Sequence, residues 1–299
     1  MEDDLLVLIQ DTEMGDKIAY VPYGPTIKPS DENKGVFLEE LSESLRSYLP
    51  TDCVLMRYDL LWESPWAKEA SFFDEQGNWV GPPAKENQEI RLNFDTHYWN
   101  LKKTNTNLLP SDTLFIDLKK DDDRLLGDMK PKTRYNTRLS FRKGVQVRQA
   151  GLDEIGVWYD LYQDTCRRNG MPLHELELFK AVVKAKHSDV SLKGDVQLLI
   201  AEIDKKPLAA MFLAYSYRRA TYLYGASSSK DRQFMAPYAL QWEAMQRAKQ
   251  KGCTEYDMFG VSPAPDPSHP LYGLYRFKTG FGGTLYHRMG CWDYLLKAD

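Results

Sequence analysis

Two groups of residues in this chain have types and spacings that could carry chemistry. The first is the stretch from Ser268 to Gly283, where aromatics, glycines and the pair Phe277-Lys278 crowd together near the C-terminus. Gly280, Gly282 and Gly283 let the backbone take positive φ or approach a ligand closely. Aromatic walls beside Lys278 would keep water away, and a cation in a dry site stabilises a developing negative charge. The alternative is a turn between a short helix and a strand, with Lys278 solvated. The second group lies between Lys130 and Arg148, where 7 Lys or Arg occur without a single acid. Arg134, Arg138 and Arg142 are spaced by four, so a helix sets them on one face. Tyr135 and Phe141 lie among them, a composition suited to a phosphate backbone. A solvated amphipathic helix is the other reading.

These groups need a folded frame, and the composition allows one. The chain has 299 residues, 42% hydrophobic and 27% charged, with a net charge of −4. That length predicts two domains, each able to bury a core. The negative balance argues against coating nucleic acid by bulk charge, which leaves local patches. No stretch reaches the roughly 18 apolar residues that span a bilayer. Met1-Glu-Asp-Asp is acidic, unlike the start of a signal peptide. Cys53, Cys166, Cys253 and Cys291 are far apart, so neither a zinc site nor a disulfide framework is expected, and a reducing cytoplasm fits. No His/Cys/carboxylate spacing suggests a metal. His187, His269 and His287 have no evident partner.

Taken in order, the pattern predicts a strand near Ile18–Val21 running into a Pro/Gly loop, a helix over 36–49 and a buried strand from Cys53 to Leu61. Residues 64–110 read as helix and loop, with an exposed insertion around Gly77 to Asn87. A strand at Thr113–Leu118 opens the second domain. Helices follow over 129–144, 154–169 (closed by Gly170) and 175–186. A strand over 197–204 and a tyrosine-rich hairpin over 211–227 come next. Pro237 to Lys251 is a helix with Pro in its first turn and Gly252 beyond its end. A strand from Cys253 and a last strand over 284–294 finish the chain. The early strand-helix-strand unit ending in Tyr58-Asp59 resembles the later one ending in Tyr256-Asp257, as two copies of one α/β unit would. Any two such units look alike, which is the competing explanation. Asp117 and Asp257 read as structural carboxylates at strand ends.

Ile18-Ala-Tyr-Val-Pro-Tyr-Gly-Pro25, Asp117-Leu118, Lys130-Pro-Lys-Thr-Arg-Tyr-Asn136, Tyr224-Gly-Ala-Ser227, Ala236-Pro-Tyr-Ala239, Tyr256-Asp257 and Phe277-Lys278, in that order, resemble the FemABX family. Those enzymes move an amino acid from aminoacyl-tRNA to a side-chain amine of a peptidoglycan precursor's stem peptide, building interpeptide bridges. The resemblance implies an α/β (α+β) fold of two tandem acetyltransferase-like (GNAT) domains with mixed sheets. Residues 1–111 with 288–299 would form the first, precursor-binding domain, and 112–287 the second. The family's first helix and opening strands, with a phosphate-binding Lys, are expected ahead of residue 1, so the first domain reads as N-terminally shortened. No long charged helical hairpin occurs, which is the compact type without a coiled-coil arm.

By the same resemblance, Lys278 beside Phe277 stabilises the transition state, and Asp59 lies near the acceptor amine. Tyr224 contacts the precursor. His174 stands where the compact type has a phosphate-holding Arg, and Arg168 is placed with them on the substrate side. Arg134, Arg138, Arg142, Lys130 and Lys132 face the tRNA. The implied partners are aminoacyl-tRNA as donor and UDP-MurNAc-pentapeptide or lipid II as acceptor. A monomer able to touch the membrane periphery is expected, with no DNA and no cofactor. The acceptor amine, with pKa about 10.4, is free base in only ~1 molecule in 10³ at pH 7, a handicap of ~4–5 kcal/mol. Asp59 would position that amine first and relay its proton second. Two other readings compete. An acyl-CoA N-acetyltransferase of the same fold would want glycines in its pyrophosphate loop, and Lys230–Ala236 has none. A non-catalytic tRNA-binding protein is the other.

Overall fold

The structure, a computed structural model, describes residues 5–185 and 194–296. In chain order the elements are β1 (Leu8–Asp11), β2 (Lys17–Val21), α1 (Lys34–Arg46), β3 (Cys53–Glu63), α2 (Lys85–Asn93), β4 (Leu101–Lys103), β5 (Asp112–Asp117), α3 (Asp122–Asp128), α4 (Pro131–Arg142) and β6 (Gln146–Ala150). They continue with α5 (Ile155–Asn169), α6 (Leu176–Ala185), β7 (Gly194–Ile203), β8 (Lys206–Ser216), β9 (Arg219–Ser227), α7 (Ala236–Gln250), β10 (Glu255–Asp257), α8 (Tyr272–Lys278) and β11 (Thr284–Leu295). The α/β expectation holds, with parallel and antiparallel strands mixed in each of two compact units. The first comprises Met1–Thr113, Ser262–His269 and Tyr286–Asp299, the second Leu114–Val261 and Pro270–Leu285.

In the first unit the strand order is β1-β2-β3-β11, with β4 on β11. Strand β2 runs parallel to β3, the pairing that a helical crossover produces, and α1 is that crossover. The apolar stripe predicted for α1 faces the sheet: Leu38 is fully buried, and Phe37, Leu41 and Leu45 pack around it with Met56, Tyr58, Trp292 and Tyr294. The Tyr58 hydroxyl meets Ser42 of α1 at 2.7 Å.

The second unit has the order β5-β10-β9-β8-β7-β6. Here β9 and β10 are parallel, joined through α7. Residues alternate along β7 and β8 with the period of two that a pleated strand imposes. Leu199, Ala201, Ala209, Met211 and Leu213 bury against α7, while Leu198, Ile200, Ala210 and Phe212 bury against Trp158 of α5 and Phe179 of α6. Both faces are covered, which is why these strands read as unbroken apolar runs. Tyr256 bonds Gln241 of α7 at 2.6 Å, just as Tyr58 bonds α1. The two strand-helix-strand segments therefore share parallel pairing, a crossover helix and a buried tyrosine tied to that helix.

Strand β4 falls within 64–110, which read as helix and loop, and three more elements escape the sequence pattern. Strand β1 is exposed along its length and β6 is a polar strand at the sheet's end, so neither shows alternation. Helix α3 did carry a start signal, because the Asp121 carboxylate accepts from the Arg124 amide at 2.8 Å and Asp122 and Asp123 follow in the first turn. The exposed insertion expected around Gly77–Asn87 is corrected in part. Trp79 pairs with Phe73 across a short antiparallel bridge and is only 7% exposed. The glycines after Lys278 serve the fold through positive φ and close packing. Gly282 and Gly283 take the positive φ expected, at 81° and 100°. A Cβ on Gly280 would lie 2.2 Å from Thr133 Oγ1, and one on Gly283 2.5 Å from the Phe115 carbonyl oxygen.

Gly283→Ala should therefore cost roughly 2–4 kcal/mol in urea unfolding, combining backbone strain with a clash against main chain. Gly77→Ala is the control: φ is 76° but nothing lies within 4 Å of the added methyl, so the loss should stay near 1–2 kcal/mol. Equal losses would show that the close approach at Gly283 contributes nothing.

Candidate active site

Lys278, the last residue of α8, is 4% exposed. Its Nζ donates to the Gly260 carbonyl at 2.6 Å and to the Phe259 carbonyl at 3.2 Å, and lies 5.3 Å from the centre of the Tyr222 ring. An ammonium has three N–H bonds, and these carbonyls take two. The solvated-lysine alternative is thereby removed. Asp257, at the end of β10 and 3% exposed, shapes the turn that presents those carbonyls. Its Oδ1 accepts from the Phe259 amide at 2.7 Å, and Phe259 sits at φ 59°, a conformation rare for a bulky side chain. Burial pulls the Lys278 pKa down to about 7, and the Asp257 charge opposes that fall. Asp257 is thus structural, as expected of a strand-end carboxylate, and electrostatically linked to Lys278 as well.

Beside α8 opens a cleft of about 410 Å³. Phe277 and Tyr238 form one wall, with rings 5.3 Å apart in an edge-to-face arrangement, and Tyr222 lines another. The Tyr222 hydroxyl occupies the space a side chain at Gly225 would need, 1.7 Å from an added Cβ. Lys278 does not itself line the cleft; Tyr222 does, and its ring lies over Lys278 Nζ. The rim is basic, with Lys132, Arg168, Lys230 and Arg232. One acid stands among them, Asp231, whose carboxylate accepts from Lys206 at 2.5 Å and is held below its usual pKa by that lysine. Arg168 donates to the Ser227 carbonyl at 2.9 Å and to its hydroxyl at 3.2 Å. The loop leading into α7 lacks glycine, yet Asp231 and Met235 adopt left-handed φ of 58° and 56°. Absence of glycine therefore does not deprive this loop of the turns that glycine usually supplies.

The remaining expected residues fall into separate places. Tyr224 is 42% exposed at φ 47°, with its ring edge-on to Phe179 at 5.0 Å. His174 lies 6.4 Å from the same ring. Tyr224 and His174 thus flank one phenyl group, whereas Arg168 belongs to the cleft. Arg134, Arg138 and Arg142 share the outer face of α4 with the exposed Tyr135 and Phe141. Arg134 is partly committed, donating to the Leu126 and Gly127 carbonyls. Among the described residues Arg138 and Arg142 form no ion pair, although Arg142 lies over the Tyr135 ring at 5.8 Å. Lys130 points instead to Thr279, and Lys132 to the cleft.

In the first unit Asp59 is 2% exposed and accepts from the Tyr20 hydroxyl at 2.5 Å. Burial raises its pKa, and the hydrogen bonds from Tyr20 and Cys291 hold the rise back. A weak base becomes a stronger one there. Sequence reasoning missed two residues of this unit. His287 bonds Asp112 at 2.7 Å beneath Trp79, and Lys103 is buried enough that its pKa falls to about 8. Only the Lys-Lys run at 102–103 in an otherwise poor pattern hinted at either. His187 lies outside the described residues.

The sequence profile of the FemAB family matches residues 4–205 and 188–298. The chain belongs to the FemAB family. Among relatives, it is 23% identical over 249 residues to the lipid II:glycine glycyltransferase of Staphylococcus epidermidis, covering 63% of this chain and 59% of that protein. Identity to the enzyme of the same name from Staphylococcus aureus is 22% over 254 residues, with the same shares. The chain thus spans less than two thirds of these relatives' length. Among solved structures, the crystal structure of FemX superimposes with a TM-score of 0.74 at 17% identity, over 97% of this chain and 84% of that one. The C-terminal domain of a putative lysylphosphatidylglycerol synthetase from Agrobacterium fabrum gives 0.53 at 12% identity, over 98% and 84%. The FemAB member described here has that shared fold.

The lowered pKa of Lys278 has a consequence for stability. Between about pH 7 and pH 10 the unfolded chain holds this proton and the folded chain does not, so stability attributable to Lys278 rises with pH across that window. Lys278→Met removes the burial cost of the charge. Its stability relative to wild type should be greatest below pH 7 and decline by up to ~1.4 kcal/mol per pH unit above it. A pH-independent difference in chemical denaturation would mean that Lys278 titrates normally.

Proposed function

We propose that this FemAB protein is an aminoacyltransferase that moves an amino acid from aminoacyl-tRNA to the side-chain amine of a peptidoglycan precursor's stem peptide. Family membership and the glycyltransferase relatives support the reaction class. The observation that carries the reading is the dehydrated Lys278 ammonium, held by two carbonyls beside an aromatic cleft with a basic rim. In this reading the amine attacks the ester carbonyl, the C–N bond forms, and the C–O bond to the terminal ribose breaks. The third N–H of Lys278 stabilises the oxyanion, an effect worth about 3–4 kcal/mol for a well-placed donor. Asp59, its basicity raised by burial, orients the acceptor amine and takes its proton. Tyr224 and His174 belong to acceptor binding, and Arg134, Arg138 and Arg142 to tRNA phosphates. Among the described residues no helix is long and apolar enough to cross a membrane.

A second reading has one observation in its favour. Left-handed Asp231 and Met235 precede a long helix, whose N-terminus is a place where a phosphate can be held, so an acyl-CoA donor remains the rival. Purified protein should be supplied with radiolabelled aminoacyl-tRNAs or labelled acetyl-CoA, and with soluble or lipid-linked precursor. Label reaching the stem peptide from tRNA alone supports the proposal; transfer from acetyl-CoA alone overturns it. Binding of tRNA without transfer favours the non-catalytic reading.

Two outcomes follow for variants. Lys278→Met should lose about 10²–10³ in rate while staying folded. The reactive state pairs a protonated Lys278 with a neutral amine, so wild-type rate should rise to about pH 7 and level off as Lys278 deprotonates. The variant's residual rate should keep rising up to pH 9, and a rise in both proteins would remove Lys278 from the chemistry. Arg138→Ala with Arg142→Ala should weaken tRNA binding and lower the slope of log affinity against log salt by about 2. An unchanged slope would place the tRNA elsewhere.

A further inference from the structure

The first unit contains a cavity of about 540 Å³ that the reading above does not use, a size that suits a small ligand. Its walls include Trp66, Trp79, Trp292, Pro263 and Pro265. Three carboxylates line it, and each is already occupied. Asp74 accepts from the amides of Gln76 and Asn78 at 3.0 and 2.7 Å. Asp112 bonds Ser111 at 2.8 Å and His287 at 2.7 Å. Asp266 bonds the Ser268 amide at 2.8 Å and its hydroxyl at 2.7 Å.

Lys103 differs. Its Nζ donates to the Cys291 carbonyl at 2.9 Å and lies 5.6 Å from the Trp292 ring, and among the described residues it forms no ion pair. A buried or half-buried ammonium without a counter-ion is costly. In the same walls the Trp79 indole N–H is buried without an acceptor. The cavity thus offers a cation and a donor that lack anionic partners, between apolar aromatic and proline surfaces.

We propose that this cavity binds the C-terminal carboxylate of a short peptide, with Lys103 as its counter-ion. Arg288 also lines the cavity, its guanidinium donating to the Pro110 carbonyl at 3.0 Å. A carboxylate fits better than a phosphate because three lining acids stand against these two cations and would repel a second negative charge. Tryptophan and proline walls suit the apolar side chains next to such a terminus, and neighbouring Asn107 and Ser262 suit its peptide groups. The site belongs to the first unit alone and stands whether or not the transfer reading does. Burial depresses Lys103 to a pKa of about 8, against the pull of Cys291, Asp59 and Asp293, with the Lys85 charge adding to the fall. A bound carboxylate restores its proton.

The test is titration of the full chain with alanyl-alanine and with its C-terminal amide, followed by calorimetry and tryptophan fluorescence. The acid should bind, and the amide should bind about tenfold more weakly or worse. Lys103→Met should abolish that preference, Lys103→Arg should keep it, and the melting temperature of each variant reports folding. Equal affinity for acid and amide, or a preference that survives in Lys103→Met, overturns the proposal. So does absence of binding to the folded wild type. Inorganic phosphate competing as well as the dipeptide overturns carboxylate recognition in favour of a general anion site.

Discussion

An ammonium group stripped of water is the constraint around which residues 257–283 are built. Dehydrating a charge is expensive unless polar groups replace the lost solvent. For Lys278 they are two main-chain carbonyls, and carbonyls can be aimed only by bending the chain. The bend is the left-handed Phe259, which Asp257 fixes by accepting its amide hydrogen. Lys278 in turn must arrive at the right depth, which the close approach of Gly280 and Gly283 to Thr133 and Phe115 sets. Tyr222 covers another side with its ring 5.3 Å from Nζ, and Gly225 makes room for its hydroxyl. A change at any of these positions would be felt at the ammonium.

The two similar strand-helix-strand segments show how one frame can serve two purposes. Tyr58 and Tyr256 do the same job, tying the second strand to its crossover helix. The aspartates that follow them do not. Asp257 spends its Oδ1 on a main-chain amide of its own loop. Asp59 accepts from a tyrosine hydroxyl across the sheet and is shielded from water, so its proton affinity rises. The equivalent position thus yields a turn lock in one unit and a raised-pKa carboxylate in the other. The difference lies in what surrounds each carboxylate, because the residue is the same.

Much of this fold was legible because its signals are local. The α1 stripe, the Pro237 start and Gly252 stop of α7, and the cap at Gly170 each depend on residues within a turn or two. What stayed hidden depends on distant partners. Nothing near Trp79 in sequence says that His287 will stack on it, so Gly77–Asn87 read as exposed. His287 and Asp112 are 175 residues apart, and Lys103 and Cys291 are 188 apart. The Phe277-Lys278 pair could be singled out by composition, but its environment could not, because the carbonyls that hold it belong to residues with no distinctive side chains. Glycine was a partial guide: Gly282 and Gly283 take the positive φ expected. After Lys278, Gly280 packs on the Thr133 side chain and Gly283 on the Phe115 carbonyl, while before α7 left-handed conformations are taken by Asp231 and Met235.

Net charge hides the arrangement that matters for a polyanion. The whole chain carries −4, yet α4 has basic residues on two sides. Lys132 and Asn136, four apart, line the cleft, while Arg134, Arg138 and Arg142, also four apart, lie on the outer face. An offset of two residues is about 200° around a helix, so the two sets are nearly opposite. A polynucleotide following this helix would meet arginines first along its backbone, at range and in water, where the attraction is screened by salt. Its terminus would then meet Lys132, Arg168, Lys230 and Arg232 at the cleft, beside the aromatic walls of Tyr222, Tyr238 and Phe277. The four cleft cations are as exposed as Arg138 and Arg142, so salt screens capture and the held terminus alike.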